Sequence, residues 1–146
     1  LFRDKIDDIM EQVKCPVAVF VNRGYREGAL VSFVLGGMID IFLLSYISIM
    51  LQNGHSVRLF LFDTDDEEFC RCMNDLQARY SGQITIVRFA GIEELVTKKK
   101  DGLLVMSHLS YTKLSEDELV MRELSSLLVI RRNKNKGEKN ERLEIG

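Results

Sequence analysis

Three short runs in this 146-residue chain combine residue types and spacings that chemistry uses. The first is Gly36-Gly37 followed by Asp40, set between an apolar, β-branched run and a longer apolar stretch. Glycines at a strand-to-helix junction let a ligand approach the backbone, and the start of a helix attracts anions. The same residues read more simply as a tight turn in which Asp40 steadies the first helical turn. Neither a G-x-G-x-x-G fingerprint nor a loop ending in G-K-[ST] is present. The second run starts at Asp63, which ends an apolar stretch and opens a cluster of five acids through Glu68. An acid there can hold a ribose hydroxyl or a metal, but its commoner role is to cap a helix. The cluster would repel an anion resting on it. The third run is Ser107, His108 and Ser110. A serine nucleophile needs a base that is itself oriented by a third group, and the sequence assigns no such group. It also has no G-x-S-x-G elbow, so the run reads as a loop capping a sheet edge. Gly36, Gly37, Asp40, Asp63, Ser107 and His108 are therefore the candidate ligand contacts, with no residue assigned to catalysis or to a metal.

The cysteines add little to this set. There are three, Cys15, Cys70 and Cys72, an odd count without the spacing of a disulfide framework. A reducing compartment is the simpler expectation. His55 and His108 are not spaced to complete a zinc site with the C-x-C pair.

The bulk composition fits a single globular core: 46% hydrophobic, 29% charged, net charge −2. No basic patch interleaved with aromatics points to nucleic acid. The chain opens on Leu1 without a leader pattern and reads as a segment of a longer polypeptide. Residues 30–51 are long enough to span a bilayer, with Asp40 as their single charge. A carboxylate in mid-span costs about 2.5–3.5 kcal/mol on insertion scales. A buried strand followed by a helix, broken at Gly36-Gly37, accounts for the run better.

Six apolar runs must form the frame that positions these residues: 17–22, 30–35, 57–62, 84–89, 103–106 and 127–130. Between them lie helical patterns at 38–53, from 64 to about 80, at 92–100 and at 114–125, preceded by an amphipathic helix at 3–14. Residues 38–53 are apolar nearly all round, which predicts a helix buried on a sheet. Asp63 and Thr64 are the expected caps of the next helix, and Ser115 with Glu118 forms the expected capping box of the last. Short strands alternating with helices predict an α/β fold with a doubly wound, mostly parallel sheet of five or six strands. Ligands bind such sheets at the carboxyl ends of the strands, where the strand order reverses. The loops after Leu35, Phe62 and Met106 are the candidates for that edge. From residue 132 the chain is charged and weakly patterned, which predicts a flexible tail.

Three segments also carry a family resemblance. Residues 30–40 (LVSFVLGGMID) resemble the strand, Gly-Gly, x-x-Asp and helix opening in the carboxyl-terminal domains of monovalent cation:proton antiporters. Residues 15–24 (CPVAVFVNRG) are similar to that family's run of Cys, Pro, a valine-rich strand and Arg-Gly, with Asn22 in the acidic or amide position. Residues 122–131 (RELSSLLVIR) resemble its closing strand. The segments occur in the family's order and, together, cover most of residues 10–131.

The resemblance implies a universal stress protein-like fold (adenine nucleotide alpha hydrolase-like). It implies a regulatory or ligand-sensing domain on the cytoplasmic face of the membrane, attached to the antiporter's membrane domain in the same polypeptide and forming a homodimer. Residues 1–24 would then be the end of a preceding stress-protein-like unit, residues 25–131 the complete domain, and residues 132–146 the tail. Stress-protein sheets often pair through their last strand, so 127–130 is the expected exposed edge. An adenine nucleotide is the ligand the resemblance suggests. The Gly-x2-Gly-x9-Gly-Ser/Thr phosphate loop of nucleotide-binding members is missing, however, because no glycine follows Ser107 before Gly137. A stand-alone nucleotide-binding stress protein is the alternative, and a small hydrolase or transferase is a more distant one.

Overall fold

The computed structural model describes residues 2–62 and 64–132. Six strands form one sheet: β1 (Val17–Val21), β2 (Val31–Leu35), β3 (Val57–Phe62), β4 (Ile84–Phe89), β5 (Leu103–Ser107) and β6 (Ser126–Arg131). Their order across the sheet is β1-β6-β5-β2-β3-β4. Every neighbouring pair is parallel except β1 with β6. This is the predicted α/β, mostly parallel sheet, with helices on both faces. The order runs one way from β2 through β3 to β4 and the other way from β5 to β6. The switch point therefore lies between β2 and β5.

Alternate side chains of each strand enter opposite cores. Val34, Phe60, Phe89, Leu104, Met106, Leu127 and Val129 pack with Ile6 and Met10 of α1 (Phe2–Gln12), Tyr111 of α4 (His108–Leu114) and Met121 of α5 (Glu118–Glu123). On the other face Phe33, Leu35, Leu59, Leu61, Val105 and Ile130 meet Leu43, Ile47 and Leu51, with Phe69, Met73 and Leu76 of α3 (Glu67–Arg79).

The structure corrects several details. Residues 38–53 do not form one buried α-helix. A 3₁₀ turn, Met38–Leu43, precedes α2 (Leu44–Gln52), and Ile39, Tyr46 and Ile49 face outward. Among the described residues no helix is long and apolar enough to cross a membrane. The cap of α3 is Asp66, whose side chain accepts the Phe69 N–H at 3.1 Å, with Thr64 Oγ1 accepting from Asp66 N. The expected helix at 92–100 stops at Leu95, because β-branched Val96 turns extended and a run of three lysines follows. Residues 107–123 hold two short helices in place of one later helix. They are capped by Ser107 and Asp117, and Ser115 lies at the end of α4 instead of opening α5. The last strand is not an edge. β6 lies between β1 and β5, and β1 and β4 are the edges, so β6 presents no free edge. α1 and β1 are integrated into the sheet and its core. The charged tail predicted from residue 132 lies, from 133 onward, outside the described residues.

Glu94 fixes the shortened crossover between β4 and β5. Its carboxylate accepts the N–H groups of Ala90 at 2.6 Å and Gly91 at 2.9 Å. These bonds, Ala90's first, hold its pKa below the ordinary value of 4.5. A depressed carboxyl stabilises the folded state above its unfolded pKa, and the contribution is lost as pH falls through the folded value. The amide signals of Ala90 and Gly91 should therefore titrate below the ordinary carboxyl range, and Glu94→Gln should abolish that titration. Titration at or above the ordinary range would count against these bonds.

Candidate functional site

The carboxyl ends of β2 and β5 bring most of the sequence-predicted residues together. β2 ends at Leu35, and Gly36-Gly37 turn the chain into the 3₁₀ segment. Gly37 has φ 131°, a conformation that a side chain would strain. The turn places Asp40 back against the strand end. Asp40 is fully buried, at 0% exposure. Its Oδ2 accepts the Gly36 N–H at 2.6 Å and the Ser110 hydroxyl at 2.7 Å. Its Oδ1 has no hydrogen-bond partner among the described residues. A buried carboxyl with an unpaired oxygen is costly, and Asp40 Oδ1 is such an oxygen at this edge. Its two bonds join the element after β2 to the helix after β5 across the switch point.

Ser107 takes a structural role at the start of α4. It is buried, and its Oγ accepts the Ser110 N–H at 3.1 Å. His108 points elsewhere: its Nε2 lies 2.8 Å from Asp7 Oδ1 on α1. The orienting carboxylate that the sequence could not assign is therefore Asp7, 101 positions away. It does not complete a nucleophilic set, because among the described residues no serine hydroxyl bonds to the His108 ring. The Ser110 hydroxyl donates its hydrogen bond to Asp40 instead. Asp63 lies outside the described residues.

Beside Asp40 is a cavity of about 180 Å³ whose walls include Gly36, Ile39, Phe62, Phe89, Leu109 and Ser110. The turn after β2, the last residues of β3 and β4, and α4 after β5 contribute to it. Phe62 and Phe89 stand edge to face at 5.6 Å between ring centroids. Ile39 and Leu109 are each 50% exposed and Phe62 is 43% exposed, so the mouth is apolar. Lys113 is the cationic residue lining it. Sequence reasoning missed Ile39 and Phe62, which read as residues of a buried helix and a strand, and Leu109, which lies in a run read as an edge-capping loop.

This chemistry suits an apolar guest better than a phosphate. The Gly36 N–H, which would hold an external anion, already donates to Asp40. A Cβ on Gly36 would lie 3.2 Å from Asp40 Oδ2 and 3.3 Å from Ser110 Oγ, so the glycine permits the close approach. No family model matches the chain, and neither a curated protein nor a solved structure is detectably similar to it.

Proposed function

We propose that this chain is a regulatory, ligand-sensing domain that binds a small, apolar-bodied molecule at the carboxyl edge of its sheet and performs no chemistry of its own. The observation that carries this reading is the Asp40 link across the switch point, next to a cavity that both linked elements line. A ligand touching Gly36 and Ser110 would favour one arrangement of the β2 turn and α4 over another. Such differential affinity is what regulation requires. A dry cavity of about 150 Å³ accepts a benzene-sized guest, so this one suits a single ring. The non-catalytic reading is supported by the split polar groups: Ser110 is tied to Asp40, and His108 to Asp7.

The ordered segments at 15–24, 30–40 and 122–131 extend the proposal. On their resemblance, the domain is universal stress protein-like and is the cytoplasmic tail of a monovalent cation:proton antiporter, acting on the membrane domain of the same polypeptide. That extension rests on the segments alone. A parent gene without membrane spans upstream would overturn it. The alternative, a stand-alone nucleotide-binding stress protein, draws on the fold and is opposed by the occupied Gly36 N–H.

Thermal shift separates the two. Single-ring aromatic compounds should raise the melting temperature more than ATP, ADP or AMP do. The gain should disappear in Leu109→Glu, which puts a carboxylate at an exposed position of the mouth. A larger gain from a nucleotide, or an aromatic gain unchanged in Leu109→Glu, would refute the apolar reading.

A further inference from the structure

We propose that the opposite, amino-terminal edge of the sheet carries a second and separate site, in which Arg58 and Lys99 bind the phosphoryl group of a small molecule. A cavity of about 210 Å³ opens there, and its lining includes Ser32, Arg58, Thr97, Lys99, Asp101 and Ser125. It does not depend on the carboxyl-edge reading, since the two cavities lie at opposite ends of the strands.

Arg58 is the centre of the site. The register sets it directly beside Ser32, and its Nε donates to Ser32 Oγ at 3.0 Å. Its guanidinium stacks 4.7 Å from the centroid of the Phe60 ring, which fixes the plane of the fork. Its two Nη groups make no hydrogen bond among the described residues. No ion pair among those residues joins Arg58 or Lys99 to Asp101, the acid in the lining. The cavity thus holds two cations against one carboxylate, with an Arg fork pre-set and unused. Burial pushes the Arg58 pKa down, with no charged neighbour opposing the shift. A guanidinium kept partly out of water without an anion is a group whose environment an oxyanion would improve.

The local chain explains why the cavity exists. The crossover from β4 ends its helical turn at Leu95, so no helix among the described residues covers the amino ends of β2 and β3 on this face. Thr97 Oγ1 donates to the Lys99 carbonyl at 2.8 Å, shaping the segment that carries Lys99 into the lining. Gly102 closes the floor. A Cβ there would stand 2.8 Å from the Leu30 carbonyl oxygen, the acceptor of the Leu103 N–H.

The test is a titration of the purified chain with inorganic phosphate and with glycerol phosphate, against chloride at matched ionic strength, followed by amide chemical shifts and by calorimetry. Saturable shifts should appear at Ser32, Arg58 and the 97–103 segment. The Kd should rise about tenfold or more in Arg58→Gln, the factor carried by one lost charge-assisted hydrogen bond. It should also rise in Lys99→Gln, an exposed substitution that leaves folding intact and keeps the test valid if the Arg58 variant is unstable. Tighter binding of glycerol phosphate than of phosphate assigns the site to an organic monoester, and equal binding assigns it to free phosphate. No saturable shift in tens of millimolar phosphate, or equal affinity in the parent and both variants, overturns the site.

Discussion

Asp40→Ala should destabilise the fold by about 2–3 kcal/mol, since each buried donor left without its acceptor costs about 1–3 kcal/mol. The two donors are the Gly36 N–H and the Ser110 hydroxyl. The estimate stays near the low end of the summed range because the substitution also removes Oδ1, the unpaired oxygen. Asp40→Asn makes the comparison informative. It keeps one acceptor for the two donors but weakens both bonds, since charge-assisted bonds are about twice as strong as neutral ones. A loss of about 1 kcal/mol is expected there. Urea unfolding of the two variants and of Ser110→Ala measures all three. If Asp40→Ala and Ser110→Ala act through one link, their losses should not add. Additive losses, or an Asp40→Ala variant as stable as the parent, would mean that the carboxyl is not what joins the β2 turn to α4.

The sequence made much of this frame legible. β3 and β4 occupy the residues that their apolar patterns predict, and the other four strands differ from prediction by one residue at one or both ends. A near-continuous run of β-branched and other apolar residues is the signal expected when both faces of a parallel sheet are buried. What failed was local, and it failed where helices are short. Residues 92–123 make a 3₁₀ turn and two short helices, lengths at which tertiary packing outweighs propensity. The position of the last strand also failed, because the antiparallel addition of β1 leaves no mark on the β6 sequence.

The candidate site divides the same way. Gly36, Gly37 and Asp40 were visible because glycines before an acid at a strand end are a local pattern. Ser107 and His108 were visible as residues, but their partners were not. Asp40 finds Ser110 across 70 positions and His108 finds Asp7 across 101, and such pairs arise only from the strand order. Arg58 drew no notice within the apolar run 57–62. Its unused fork appears only when the crossover above it is seen to stop short.

Arg131→Met should be the other large loss, and it tests how α1 is held. Arg131 ends β6, and its guanidinium donates to the main-chain carbonyls of Met10, Val13 and Cys15. These carbonyls lie at the end of α1, where helical partners run out. A cation there also complements the helix dipole. Methionine retains the aliphatic bulk but supplies no donor, so the expected cost is about 2–4 kcal/mol for carbonyls left without charged donors. The effect should be local before it is global. Amide exchange in α1 should accelerate, and the Asp7–His108 pair should loosen with it, while the β2 to β5 core keeps its protection. Arg131→Lys should recover only part of the loss, because one ammonium cannot match a fork that reaches three carbonyls. If exchange in α1 were unchanged in Arg131→Met, the helix would owe its place to Ile6 and Met10 in the core, and the arginine would be incidental to it.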